Sequence, residues 1–243
     1  MPVFPYLYGF DWTYLVLILP CIFLSLWTSI SVKRTFHKFS QIYSEKGITA
    51  EEAAKQVLSL NGVRGVSIKH VGGNLTDHYD PTSNTISLSD TVYGSASVAA
   101  IGVACHEAGH AVQYAKHYFP IKVRTLIIPV TNFGSRLAIP LILIGFLLSY
   151  ASSISNFFIY LGIICFSLSL LFQLITLPVE FNASRRAMTA IAQCNLLTSK
   201  EQYGAKKTLS AAAMTYLAAV TISLAQLLRL ILLFGNRGRR RNN

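Results

Sequence analysis

Acidic side chains are scarce in this chain: ten Asp and Glu stand against 21 Lys and Arg in 243 residues, and beyond Asp90 only Glu107, Glu180 and Glu201 remain. Few carboxylates are therefore left to carry chemistry. The four cysteines, Cys21, Cys105, Cys165 and Cys194, show no C-x-x-C spacing, which excludes a disulfide framework and a cysteine-based metal site. Charged residues make up only 13% of the chain, against 52% hydrophobic residues and a mean hydropathy of +0.46, which excludes an ordinary soluble domain. No lysine or arginine precedes the first apolar run and no small-residue cleavage site follows it. That run is an anchor and not a removable signal peptide. The net charge of +11 comes without any nucleic-acid-binding module, so nucleic acid is not the expected partner. Anionic lipid headgroups are. Internal repeats and low-complexity tracts are absent as well.

What is abundant is apolar sequence in long blocks. Residues 12–32 are almost uncharged for long enough to cross a hydrocarbon core at about 1.5 Å per residue. Similar runs cover 126–150, with Arg136 near its beginning, 157–179 with no charge, and 211–234, where Arg229 can snorkel from near the end. A short polar linker at 151–156 makes the middle two a helical hairpin. Four spans are expected, in a cell-membrane, multi-pass protein. Ten Lys and Arg lie in 33–125 and five in 180–210, which places both segments in the cytoplasm by the positive-inside rule. The 236–243 tail, with four arginines, would then lie outside; either the last segment does not cross fully or the larger basic segments outvote the tail. The expected division is 1–32, an N-terminal region and first span; 33–125, a cytoplasmic α+β region; 126–179, the hairpin; 180–210, a cytoplasmic helix; and 211–243, the last span and tail.

Within 33–125, Thr49-x-x-Glu52 is a capping box opening a short amphipathic helix that Asn61-Gly62 stops. Residues 63–71 alternate as a strand does, Gly72-Gly73-Asn74 and Asp80–Asn84 are turns, and Thr85, Ile86, Ser87, Leu88 and Ser89 form a second short strand. Asp90, Ser95 or Ser97 then caps a helix that ends before Pro120. That helix carries His106-Glu107-Ala108-Gly109-His110. Residues four apart on a helix share a face, about 5–6 Å between Cβ atoms, so both imidazoles can reach one Zn²⁺. Glu107 sits between them, close enough to touch a metal-bound water, which makes it the general base.

A catalytic zinc takes three protein ligands and keeps one position open, so a third donor is required. Glu201 belongs to a second capping box, Thr198-x-x-Glu201, whereas Glu180 directly follows the third span, where a hairpin returns the chain to the membrane face of His110. Glu180 is the expected third ligand, in preference to an interfacial charge at a helix N-terminus. A metzincin site is excluded because the required glycine and third histidine are Gln113 and Lys116. His37, His70, His78 and His117 read as surface or structural residues, with His78 of interest for its place in Asp77-His78-Tyr79-Asp80.

Three separated stretches, LTDHYDP at 75–81, CHEAGHAVQ at 105–113 and the PVEFNASRRAM run from Pro178, resemble the bacterial membrane-bound neutral zinc metallopeptidases of the YugP type. The resemblance covers nearly the whole chain, from the first span to Phe234. The pairing of H-E-x-x-H with E-F-x-A is more distantly similar to the CAAX prenyl protease and heat-shock protease X group, which place an aspartate four residues after the ligand glutamate. Here that position is Ser184. Ser184, Asn182 or Asp77 is thus expected to orient a histidine.

The resemblance implies a peptidase. The expected fold is mainly α, a multi-pass helical membrane protein with a small α+β cytoplasmic zincin-like region. One Zn²⁺ per chain is held by His106, His110 and Glu180, and water activated there hydrolyses the peptide bonds of a peptide or membrane-protein substrate, with Glu107 as base. Arg185, Arg186, His78 and Tyr216 are candidate oxyanion donors. The strand at 85–89 is a candidate edge to which an extended substrate adds. Two alternatives stand beside this reading, an intramembrane zinc protease and a non-catalytic membrane protein stabilised by zinc. No second apolar segment with an embedded aspartate supports the first, and the lack of a fourth good ligand weighs against the second.

Overall fold

The computed structural model describes residues 12–148 and 154–234. The start of the chain, part of the 151–156 linker and the basic tail lie outside the described residues. In chain order the elements are α1 (Leu19–Ser40), entered through a π-helical stretch Tyr14–Ile18, α2 (Ala50–Leu60), β1 (Ser67–His70), β2 (His78–Asp80), β3 (Thr85–Leu88), α3 (Val98–Ala115), α4 (Phe119–Leu147), α5 (Ile154–Gln193) and α6 (Ser199–Phe234). They belong to two compact units. One comprises Met1–Trp27, Leu126–Leu174 and Tyr216–Asn243, the other Thr28–Thr125 and Ile175–Thr215.

The first unit is the apolar one. Four helices among the described residues, α1 with its π-helical entry, α4, α5 and α6, are long and apolar enough to cross a membrane. Large apolar side chains on this unit face outward, Leu126 at 78%, Leu147 at 75% and Phe133 at 69% exposure, a surface suited to lipid and not to water. The α4 and α5 segments pack as the expected hairpin. A Cβ added at Gly145 would lie 2.9 Å from the Ile159 nitrogen and the Ser155 carbonyl, so the absent side chain is what permits this approach. Ser155 Oγ donates to the Gly145 carbonyl at 2.7 Å, and Gln173 Nε2 donates to Ser223 Oγ at 2.8 Å, tying α5 to α6.

The second unit holds the polar chemistry around a small core. Thr49 caps α2 with both bonds of its box, the helix ends at the Asn61 cap, and Gly62 follows with φ +68°. The buried face of α2, Ala50, Ala53, Ala54, Val57 and Leu58, shares its core with Ile101, Ala104, Cys105 and Ala108 of α3. Burial pushes the Cys105 thiol far above its ordinary value, as befits an inert packing residue. Ser97 is the cap of α3, its Oγ accepting from the Ala100 N–H at 3.3 Å.

Two expectations need correction. The strand expected over 63–71 is confined to Ser67–His70, because Gly65 takes a left-handed φ of +76° and breaks the extended run. More consequentially, the sheet order is β1-β3-β2, with β3 paired in parallel to β1 and antiparallel to β2. The Thr85, Ile86, Ser87, Leu88 strand is therefore the centre of the sheet, its backbone already engaged on both sides, and cannot be the edge that receives a substrate. Its side chains agree, since Thr85, Ile86 and Leu88 are buried. Ser89, the last residue of that proposed strand, instead uses its N–H and hydroxyl on Asp77. α5 runs unbroken through residue 180, so Glu180 projects from a helix interior, which disfavours the alternative of an interfacial charge at a helix N-terminus.

Candidate metal centre

The centre lies wholly in the second unit, where α3 crosses α5. The contact is close because residue 109 has no side chain: a Cβ there would lie 2.7 Å from the Ala183 carbonyl oxygen. The glycine inside the histidine motif thus lets α5 approach the face that carries both rings.

One turn apart on α3, the His106 and His110 rings stand nearly perpendicular, centroids 4.7 Å apart. From α5, Glu180 Oε2 lies 3.3 Å from His106 Nε2 and 3.5 Å from His110 Nε2. Within the described residues these three form a cluster able to hold a metal ion, all donor atoms within 4.8 Å of one another. Bonds of about 2.0–2.1 Å around a tetrahedral ion place neighbouring donors roughly 3.3–3.4 Å apart. The two spacings to Glu180 match those edges, so the residues fit zinc. Glu180 is 3% exposed and His110 8%, which removes competing water.

The His110 ring is also held in one tautomer. Gln113, fully buried, donates through Nε2 to the Val179 carbonyl at 2.8 Å and to Asn182 Oδ1 at 3.0 Å. Both amide protons are thereby committed, so its Oε1, 3.0 Å from His110 Nδ1, accepts from the ring. That leaves the lone pair of His110 on Nε2, facing Glu180. Ser184 Oγ sits 3.1 Å from His106 Nδ1, within hydrogen-bond reach of the other ring. Burial works against a charge on His110, but the Glu180 hydrogen bond and the charges of Glu107 and Glu180 outweigh it and raise its pKa. The same negative surroundings favour a divalent cation. Glu107 is buried on α3 immediately after His106.

Of the residues expected to orient a histidine, Ser184 does so directly and Asn182 does so through Gln113. Asp77 does not: its two oxygens accept from the N–H and the hydroxyl of Ser89 at 2.7 and 2.9 Å, closing the sheet instead. Among the oxyanion candidates, Arg186 donates to Asn182 at 2.7 Å and lies over the Tyr118 ring, while Arg185 is exposed. The exposed His78 pairs through Nδ1 with the Thr76 carbonyl, and Tyr216 belongs to the other unit. Gln113 and Arg124 escaped sequence reasoning. Gln113 lies three residues after His110, a spacing that shares its helical face and could have signalled it. Arg124 Nη1 lies 3.4 Å from Glu180 Oε1, a tertiary pairing with no local signal.

Two histidines four apart on one helix and a glutamate from a second helix, with one coordination position left over, define the class of mononuclear zinc sites found in metallopeptidases. Comparison with known proteins agrees. Residues 14–235 match the family described as "Putative neutral zinc metallopeptidase", and the chain belongs to that family. It is 46% identical over 213 residues to the "Putative membrane protease YugP" of Bacillus subtilis (strain 168), covering 88% of this chain and 92% of that protein. No solved structure is a significant match.

Proposed function

We propose that this protein is a multi-pass membrane zinc metallopeptidase that cleaves peptide bonds at the cytoplasmic face of the cell membrane. The observation that carries the reading is Glu180, 70 residues beyond the histidine motif, brought by α5 to within 3.3 and 3.5 Å of the two imidazole nitrogens. His106 and His110, each through Nε2, and Glu180 through Oε2 are assigned as the ligands of one Zn²⁺ per chain. When bound, zinc lowers the pKa of a water molecule and polarises the substrate carbonyl. Glu107 accepts the proton of that water and passes it to the leaving amine nitrogen. Gln113 holds the His110 tautomer that ligation needs, and Ser184 lies against the His106 ring on the side away from Glu180.

The four apolar helices and the family resemblance support the membrane assignment, and the distribution of basic residues supports the side. The segments at 33–125 and 180–210, with fifteen of the 21 Lys and Arg, are assigned to the cytoplasm, and the spans to 12–32, 126–150, 157–179 and 211–234. The substrate is a peptide or a membrane protein.

Replacing Glu107 tests the mechanism most directly. Glu107→Gln keeps the zinc content of the purified protein and lowers cleavage of soluble peptides by about 10²–10⁴-fold, the usual worth of a general base. Full turnover by that variant removes Glu107 from the mechanism, and chelator-resistant cleavage removes the metal.

A further inference from the structure

The two oxygens of Glu180 have different surroundings. Oε2 faces both histidines, while Oε1 faces the Arg124 guanidinium, with Nη1 at 3.4 Å. Arg124 belongs to the first turns of α4, and its sequence position beside apolar residues suggests only an interfacial arginine. Yet its Nε is buried without a hydrogen-bond partner. Burying an arginine donor unpaired is costly. Glu180 is the partner that the structure gives this guanidinium, and the carboxylate itself is only 4% exposed. A carboxylate left free at both oxygens can bind a cation through both, which would raise the coordination number from four to five and crowd the position that water and substrate share.

We propose that Arg124 is a positioning residue that reserves Oε1 of Glu180, so that the carboxylate gives the metal one oxygen and the fourth coordination position stays open. This rests on the assignment of Glu180 as third ligand. Arg124 stabilises a four-coordinate site, and its loss adds the second carboxylate oxygen as a fifth ligand without emptying the site. A purely structural role predicts the opposite, a weaker hold on the metal with unaltered coordination.

Cobalt(II) in place of zinc reads this difference, because its visible absorption is intense when four-coordinate and weak when five-coordinate. The full-length protein in detergent, loaded with one equivalent of Co²⁺, shows the intense band. In Arg124→Gln the ion remains bound but the band loses its intensity, X-ray absorption gains an oxygen neighbour, and peptide cleavage falls by about 10–100-fold. Arg124→Met gives the same shift should the first variant prove unstable. Arg124→Lys, which restores the charge, keeps the intense band, as does Lys122→Gln on the exposed side of the same turn. An intense band in Arg124→Gln or Arg124→Met overturns the inference while leaving the ligand set intact. An unaltered band in Glu180→Ala overturns the ligand assignment, and the role of Arg124 with it.

Discussion

A buried glutamine does at this centre what a carboxylate does at many zinc sites. Gln113 joins His110 to the Val179 carbonyl and Asn182 of α5, so one amide sets the ring tautomer and joins the two helices. An amide leaves the ring less basic than a carboxylate would, and it adds no negative charge to a pocket that already contains Glu107 and Glu180. Gln113→Leu keeps the volume but leaves His110 Nδ1 without a partner and removes the bonds from α3 to Val179 and Asn182. Zinc affinity, measured by competition with a chromophoric chelator, falls by about 10–100-fold. Unchanged affinity would show that packing alone orients the ring. Ser184 meets His106 through a hydroxyl that can donate or accept.

At the scale of elements, the site depends on how closely α3 and α5 approach. Their contact at Gly109 and Ala183 involves backbone, which cannot rotate out of the way as a side chain can. Gly109→Ala forces the helices apart and costs about 1–3 kcal/mol in stability, the usual penalty of overpacking. Thermal unfolding measures that cost. Because Glu180 moves with α5, metal content falls in the same variant, although alanine favours the helix locally. The second capping box is only half made: the Thr198 N–H donates to Glu201 Oε2 at 2.7 Å, but Thr198 Oγ1 is buried without a partner. Glu201 Oε1 accepts instead from the Glu45 N–H at 2.7 Å, so this acid fastens the segment after α1 to the start of α6. Its local motif was legible, whereas its second partner, far away in sequence, was not.

At the scale of the whole molecule, the division into an apolar unit and a catalytic unit follows from where charge is allowed. The first unit exposes leucine, phenylalanine and isoleucine, and the second carries the sheet, both capped helices and the metal centre. The cytoplasmic placement proposed for the unit that holds the metal centre makes a clear prediction. Protease digests the 33–125 region in inverted vesicles and spares it in intact cells. Digestion from the outer face alone reverses the orientation. The tail at 236–243, whose arginines oppose a simple four-span count, lies outside the described residues.

The periodicity of α3, the caps of α2 and α3, the turn at Asp80 and the long apolar blocks were all readable because each is set within one helical turn, one hairpin or one uninterrupted run. The placing of His106 and His110 on one helix face was readable for the same reason, helical spacing being local. Glu180 stood out only because so few acids compete with it. Tertiary structure decided what depends on distance along the chain: that β3 is central because β1 pairs beside it, that Asp77 serves the sheet, and that Gln113 and Arg124 surround the ligands. Local sequence sets backbone conformation through short-range sterics and hydrogen bonds. The partner of a buried polar group is settled only when packed helices leave it no water to turn to.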